Sequence, residues 1–280
     1  MKVQTVAMAA IAVAASTFAF AIGRAVWQSP EPAPPRTAPT YFQPPLEASI
    51  PDDDFGAMVS RGKAIFVDTP THAADYVGNE LSCRSCHLDR GRMPNSAPMW
   101  GAWVRYPQYR AKNQIVNTMA DRIAGCFRFS MNGTPPPADS DVMRALQAYF
   151  FWMATGAPTG TTLPGAGYPE VHPPASAPDL DRGGTVYAEK CAICHGNDGE
   201  GQRSGGRYVF PPLWGSNTYN KGAGMYRVDL AAAFIKANMP LGKGGSLSDQ
   251  EAWDVAAFVN SHERPADPRQ SAGGRDPSAR

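Results

Sequence analysis

The motif C-x-x-C-H occurs twice in this sequence, as CRSCH at 83–87 and as CAICH at 191–195. Two thiols at this spacing can bond to the two vinyl groups on one edge of a porphyrin, and the histidine that follows can reach the iron. A zinc site or a disulfide is the alternative, but neither needs a histidine directly after the cysteine pair. The motifs therefore predict two covalently bound haem c groups. Their predicted attachment residues are Cys83, Cys86 and His87, and Cys191, Cys194 and His195.

The second ligand of the second haem iron is predicted to be Met239, in the segment NMPLG. A His195/Met239 pair would raise the reduction potential of that haem. Lys236 is a rival ligand only when deprotonated, which costs free energy unless the amine is desolvated. We therefore prefer Met239.

The first half contains two candidate sulfur ligands for the corresponding position on the first haem iron. Met131 is opposite Met239 when the last helices of the two halves are aligned. Cys126 has no counterpart in the second half, and its thiolate is a better donor to ferric iron than a thioether. A buried structural thiol and a reactive exposed thiol are further alternatives for Cys126. The residues alone leave these alternatives open.

Basic residues surround Cys126 in the sequence. Arg122 lies one helical turn before it, so on a helix both side chains share a face. Arg128 follows Cys126, and Arg110 and Lys112 lie upstream. These cations would lower the pKa of the thiol and attract a small dianion. A solvated basic surface is the alternative interpretation of each residue taken singly.

Helices must position these groups, and the chain predicts a two-fold repeat from about residue 51. Each half has a helical segment before the C-x-x-C-H motif, then a long loop, then the methionine near a turn, and finally an amphipathic helix. Asp139 or Ser140 can cap the last helix of the first half, and Ser246 or Ser248 that of the second. The predicted helices are 54–66, 139–154, 181–190 and 247–261.

The repeat predicts a mainly α fold of two tandem class I cytochrome c domains, each wrapped around a covalently attached haem. Strand content should be minor. The predicted segments are a signal peptide or N-terminal anchor (1–27), a Pro-rich tether (28–50), the N-terminal domain with the catalytic haem (51–155), a linker (156–180), the C-terminal domain with the electron-exit haem (181–263) and a disordered tail (264–280).

The N-terminus indicates export to the periplasm. A single Lys2 precedes an apolar run without charge up to Arg24, and Ala19 and Ala21 fit a small-x-small cleavage site. An uncleaved membrane tether is the alternative, because the run approaches the ~20 residues that span a bilayer. A net charge of +1 gives no reason to expect a nucleic-acid partner.

Three segments resemble the thiosulfate dehydrogenase family: GNELSCRSCHLDRGRMPNSAPM, YPQYR and DRIAGCFRFSMNG, followed by a second C-x-x-C-H domain. The resemblance covers roughly residues 55–262, and the stretch around Cys126 is its specific part. It implies oxidation of two thiosulfate ions to tetrathionate at a first haem with His87 and Cys126 as ligands. It also implies that Arg122 helps to hold thiosulfate and that the His195/Met239 haem passes electrons out to a redox protein, such as another cytochrome c.

The chain departs from some members of that family at one position. Some family members place a lysine directly before the distal methionine and use it as a ligand in the oxidised state, whereas this chain has Asn238. We expect catalysis to use Cys126 and Arg122, aided by Arg128 or Lys112. A diheme electron carrier without catalysis, with Met131 on the first iron, is the alternative. The same enzyme working as a tetrathionate reductase is another.

Overall fold

The computed structural model describes residues 40–111 and 113–271. The predicted signal peptide or anchor, the tether before residue 40, Lys112 and the tail after residue 271 lie outside the described residues. Within those ranges no helix has the length and apolar character needed to cross a membrane.

Helices form the scaffold, and strands are limited in the described ranges to two short hairpins, as expected. The α-helices are α1 (Asp54–Val67), α2 (Thr69–His72), α3 (Leu88–Gly91), α4 (Met99–Trp103), α5 (Met119–Gly125), α6 (Asp141–Met153), α7 (Leu180–Lys190), α8 (Ala192–His195), α9 (Val228–Asn238), α10 (Asp249–Ser261) and α11 (Pro268–Ser271). The strands are β1 (Gln108–Arg110), β2 (Ile115–Asn117), β3 (Gln202–Ser204) and β4 (Arg207–Phe210), paired β1–β2 and β3–β4, both antiparallel. One 3₁₀ turn (Cys83–Ser85) and one π-helical turn (Cys126–Ser130) belong to the candidate site.

The first half is built on α1 crossing α6. A Cβ added at Gly62 would lie 2.0 Å from the Ala145 carbonyl oxygen, so only glycine permits this close approach. Ser140 caps α6 by accepting a hydrogen bond from the Met143 backbone at 3.2 Å, as one of the two predicted caps. The buried side chains at this crossing include Val59 and Leu146, so the amphipathic faces meet as the periodicity predicted.

The second half repeats this crossing with α7 and α10. A Cβ at Gly183 would lie 2.3 Å from the Asp254 carbonyl oxygen, which matches the glycine contact of the first half. Ser248 and Glu251 form a capping box at the start of α10. The two-fold repeat of the sequence is therefore also a repeat of helix packing.

The two halves meet along the segment 218–226 of the second half. Tyr219 and Ala223 are buried in the hydrophobic cluster of the first half. The side-chain amides of Asn79 and Asn132 both donate to the Thr218 carbonyl, at 3.1 and 2.8 Å. Buried amide–carbonyl hydrogen bonds of this kind fix the two halves in one relative position.

Two terminal segments are more ordered than their composition indicates. Within the tether, Phe42 packs on Trp100 with ring centroids 5.5 Å apart. In the tail, Arg264 and Asp267 are buried, and the Arg264 guanidinium lies 4.4 Å from the centre of the Tyr219 ring. Cation–π and ionic contacts thus involve residues 264–269 of the segment for which the sequence predicts disorder.

Candidate active site

Both C-x-x-C-H motifs lie on a short helical turn. The first motif contains the 3₁₀ turn Cys83–Ser85, and the second motif contains α8. In each, the backbone N–H of the histidine donates to the backbone carbonyl of the first cysteine at 3.0 Å, from His87 to Cys83 and from His195 to Cys191. The five cysteines all lie among the described residues, and no disulfide joins any two of them. The same local geometry thus presents two thiols and an imidazole together in each half.

A backbone carbonyl holds each of these histidines in one tautomer. The Nδ1 atom of His87 lies 2.8 Å from the Ala97 oxygen, and that of His195 lies 2.9 Å from the Pro211 oxygen. Because a carbonyl can only accept, Nδ1 is the donor and Nε2 keeps a free lone pair. Metal-binding histidines in proteins are commonly oriented in this way.

Each motif opens into a cavity. The first cavity measures about 550 Å³ and is lined by the motif residues together with Cys126 and Met131. The second measures about 230 Å³ and is lined by its motif residues together with Met239. Among the described residues, no three His, Cys, Asp or Glu side chains form a group that could hold a metal ion by themselves. The residues therefore fit an attached porphyrin better than a zinc ion.

Cys126 is positioned by the end of α5. Thr118 and Asp121 begin this helix with a capping box: the Asp121 N–H donates to Thr118 Oγ1 at 3.1 Å, and the Thr118 N–H donates to the Asp121 carboxylate at 2.8 Å. After Gly125 the chain continues as the π-helical turn Cys126–Ser130. Arg122 Nη1 donates to Cys126 Sγ at 3.0 Å, so the two side chains share a face as predicted.

The electrostatics single out Cys126 among the cysteines of the first cavity. Burial raises the pKa of Cys83 and of Cys86 to about 12. Burial also acts to raise the pKa of Cys126, but the Arg122 charge and the His87 ring outweigh it and lower that pKa to about 6. These contacts favour the thiolate form of Cys126, which faces both a partly buried guanidinium and the first motif histidine.

The other residues predicted for the first site differ in whether they line the first cavity. Met131 is buried and lines the first cavity. The lining of this cavity does not include Arg128, whose guanidinium lies 6.0 Å from the centre of the Phe129 ring. Lys112 lies outside the described residues.

In the second half, Lys236 forms an ion pair with Asp249 at 3.1 Å, and it does not line the second cavity. Met239 does line that cavity. Asn238 is buried and donates its side-chain amide to the Asn95 carbonyl of the first half at 3.0 Å. Met239, unlike Lys236, thus lines the cavity into which the second motif opens, and its role as a ligand stays a prediction.

Several cavity residues could not have been found from the sequence. Arg105 and Tyr106 line the first cavity, and Tyr106 accepts a hydrogen bond from Arg110 at 2.8 Å. Tyr168 comes from the segment predicted to be only a linker, and Arg227 comes from the second half. Tyr106 begins the YPQYR segment of the family resemblance, but no periodicity or motif marks Arg105, Tyr168 or Arg227. The folding of a loop and of a second domain brings these three to the cavity.

Two family profiles match the chain. The SoxA/TsdA cytochrome c domain matches residues 73–159, and the profile described as cytochrome c oxidase, cbb3-type, subunit III matches residues 178–259. These matches confirm the predicted pair of cytochrome c domains. They also confirm the prediction of two covalently bound haem c groups.

Similar proteins cover most of the chain. A thiosulfate dehydrogenase of Stutzerimonas stutzeri is 60% identical over 234 residues, which are 84% of this chain and 76% of that protein. One of Thiomonas intermedia is 54% identical over 228 residues, 81% of this chain and 73% of that protein. The solved structure of thiosulfate dehydrogenase (TsdBA) from Marichromatium purpuratum superposes with a TM-score of 0.80 at 54% identity and covers 82% of this chain. The present chain spans only 50% of that solved chain.

Proposed function

This chain belongs to the thiosulfate dehydrogenase family, and on that premise we propose that it oxidises two thiosulfate ions to tetrathionate with Cys126 as the covalent catalyst. The observation that carries the proposal is the contact of 3.0 Å between Arg122 Nη1 and Cys126 Sγ inside the first cavity. A partly buried thiolate next to a partly buried cation is a nucleophile at a site that attracts anions.

We also propose the iron ligands. His87 and Cys126 would hold the first haem iron, since both side chains line the cavity into which the first motif opens. His195 and Met239 would hold the second. The haem groups supply one-electron acceptors when bound. An anionic sulfur ligand stabilises the ferric state and a His/Met pair raises the potential, so this ligand set favours electron flow from the first half to the second.

The role of Arg122 follows from charge. Two unit charges 4 Å apart at an effective dielectric constant of 20 repel each other by about 4 kcal/mol, and thiosulfate is a dianion. The guanidinium of Arg122 keeps its proton, because the Cys126 thiolate raises its pKa. It is therefore a fixed positive charge beside the reactive sulfur, and it holds the sulfonate of the first thiosulfate.

The covalent step uses the thiolate of Cys126. It forms a sulfur–sulfur bond with the outer sulfur of thiosulfate, and two electrons leave, so Cys126 becomes a cysteine S-thiosulfonate. A second thiosulfate attacks the sulfur that came from the first, the bond to Cys126 breaks, and tetrathionate and the thiolate are released. The net change is two thiosulfate ions to one tetrathionate ion and two electrons. The reverse sequence is tetrathionate reduction at the same residues.

The proposal also covers the acceptor of the electrons and the compartment of the protein. The electrons pass to another redox protein, with a second cytochrome c as the partner class. The charge pattern of the first residues supports export to the periplasm, with the N-terminal segment either cleaved or kept as a tether.

Replacing each candidate sulfur ligand in turn separates this function from simple electron carriage. Cys126→Met should abolish thiosulfate-dependent reduction of an artificial acceptor while both haem groups remain attached. Met131→Leu should retain turnover, because it removes only the rival ligand. Normal turnover of Cys126→Met, or loss of turnover in Met131→Leu with Cys126 intact, would refute the proposal.

A further inference from the structure

The loop 95–97 lies against the first C-x-x-C-H motif and orients its histidine. The Ala97 carbonyl accepts the hydrogen bond of 2.8 Å from His87 Nδ1 that fixes the tautomer of the ring. Ala97 and His87 both line the first cavity, so this bond belongs to the wall of the candidate site. The position of the loop therefore sets the orientation of the imidazole.

Ser96, the central residue of this loop, is bonded to the backbone on both sides of His87. Its Oγ donates to the Cys86 carbonyl at 2.9 Å and accepts from the Leu88 N–H at 3.0 Å. Ser96 is 0% exposed, so water does not compete for either bond. One hydroxyl, as donor and acceptor, thus holds the residue before the histidine and the residue after it.

The segment between the two domains holds the loop from the other side. The Asn95 N–H donates to the Gly165 carbonyl at 2.9 Å, and the Ala97 N–H donates to the Gly167 carbonyl at 3.2 Å. The φ angle is 62° at Asn95 and 46° at Ala97, in the left-handed region that residues other than glycine rarely adopt. Such a backbone persists only where the surrounding contacts determine it, and it is found most often at functional sites.

We propose that Ser96 is a positioning residue for His87: its hydroxyl fixes the peptide groups on both sides of the histidine, and its neighbour Ala97 fixes the ring. The inference rests on the proposed function, because it concerns the histidine that shares the first cavity with Cys126. In the proposed reaction the Cys126 sulfur is bonded to thiosulfate for part of each cycle. His87 must keep its place during that time, and the bonds of Ser96 hold the backbone that carries it.

The second half holds its motif with a different hydroxyl. There Tyr187 Oη donates at 2.6 Å to the carbonyl of Gly196, the residue after His195. The carbonyl that orients the His195 ring is that of Pro211. A substitution of Ser96 should therefore change the surroundings of His87 and leave those of His195 unchanged, so the second haem serves as an internal reference.

The test compares two serines of the first half. Ser96→Ala removes only the hydroxyl. Ser140→Ala is the matched control, because Ser140 Oγ accepts from the Met143 N–H at 3.2 Å at the start of α6 and does not line the first cavity. Both full-length diheme proteins are measured by low-temperature ferric electron paramagnetic resonance, by thiosulfate turnover and by thermal unfolding. Ser96→Thr, which keeps a hydroxyl, tests for rescue.

Ser96→Ala should shift the g-values of the thiolate-ligated first haem, since these depend on the orientation of the axial imidazole. It should lower kcat by about 10-fold, the lower end of the losses caused by removing a partner of a metal-binding histidine. The species of the second haem should keep its g-values. Ser140→Ala should lower the unfolding temperature, because a helix cap is lost, and keep the wild-type spectrum and kcat. Ser96→Thr should restore part of both signals.

A measurement on the wild-type protein decides the matter if Ser96→Ala does not fold. The Leu88 amide should exchange its hydrogen with solvent as slowly as the buried amides of α6, because it is bonded to a buried hydroxyl. Fast exchange of this amide would contradict the bond to Ser96 on which the inference depends.

The outcomes separate this inference from the proposed function. A wild-type spectrum and kcat in Ser96→Ala would overturn the inference, and so would equal changes in Ser96→Ala and Ser140→Ala, because a general loss of stability would then explain both. A wild-type protein without any thiolate signal would refute the ligation by Cys126. In that case a spectral change confined to one haem in Ser96→Ala would still support the role of Ser96, and a change in both haem groups or in neither would overturn it.

Discussion

The two halves share one scaffold and differ in the residues that line the cavity beside each motif. In both, a long helix approaches the last helix through a glycine, at Gly62 and at Gly183, and a carbonyl orients the motif histidine. In the part of the chain that the structure describes, only the first half has a π-helical turn with a cysteine and a partly buried arginine, beside a cavity of about 550 Å³. The second has Met239 in a cavity of about 230 Å³. The repeated elements therefore fit an attached cofactor, and our proposal places the chemistry on the segment without a counterpart.

The largest expected effect concerns the charge found only in the first half. Arg122→Leu should lower kcat/KM for thiosulfate by about 10²–10³-fold, a typical cost of removing one preorganised electrostatic group. It should also raise the pKa of Cys126, because burial then acts without the opposing guanidinium. Steady-state kinetics measure this effect, and Arg122→Lys should recover part of it.

Arg61→Ala is the control for that comparison, since Arg61 is half-exposed and pairs with Asp141 at 3.4 Å on the surface. It should leave kcat/KM unchanged. If the two arginine substitutions have equal effects, the cation near Cys126 has no special role.

The shared scaffold gives the next prediction. Gly62→Ala and Gly183→Ala each place a Cβ within 2.3 Å of a backbone oxygen of the facing helix, so each should destabilise the fold by about 1–3 kcal/mol through overpacking. Thermal unfolding followed by far-ultraviolet circular dichroism should show similar losses for both. A large loss in only one half would contradict the equivalence of the two helix crossings.

The smallest effect concerns the ion pair between Lys190 and Glu251, at the capping box of the second half. A hydrogen bond from Lys190 and the cap of Ser248 lower the pKa of Glu251 to about 2. Because the folded pKa lies below the unfolded value of about 4.3, the stabilisation is complete above pH 4.3 and is lost as the pH falls towards 2. Glu251→Gln should therefore destabilise at pH 7 by less than about 1 kcal/mol and have no effect near pH 2.

Urea unfolding at pH 7 and at low pH measures that difference. Glu263→Gln is the matched control, because Glu263 is 94% exposed and lies 4.0 Å from Lys221. If Glu251→Gln lowers the free energy of unfolding equally at both pH values, the negative charge of Glu251 does not contribute to the stability of the capping box.

The sequence predicted the parts that depend on local pattern. The C-x-x-C-H spacing, the helix caps at Ser140 and Ser248 and the helical offset of Arg122 from Cys126 are all properties of short segments, and the structure shows each of them. The residues alone do not decide whether Cys126 or Met131 binds the first haem iron. Ligation by Cys126 therefore stays a prediction.

Long-range packing could not be predicted. Tyr168 reaches the first cavity from a Gly/Pro-rich segment, and Asn220 contacts the turn after Cys126 from a different domain. Arg264 was assigned to a disordered tail because its neighbours are polar, but its guanidinium packs on an aromatic ring contributed by another segment. Each of these contacts joins residues far apart in the chain, and a single sequence carries no signal for such pairs.

The most direct test of the account is the low-temperature electron paramagnetic resonance spectrum of the ferric wild-type protein. We predict two different low-spin species, one with the g-values of thiolate ligation from the first haem and one typical of His/Met ligation from the second. Cys126→Met should convert the first species alone. Two His/Met species in the wild type, unchanged by that substitution, would contradict ligation by Cys126 and leave the chain as a carrier of electrons.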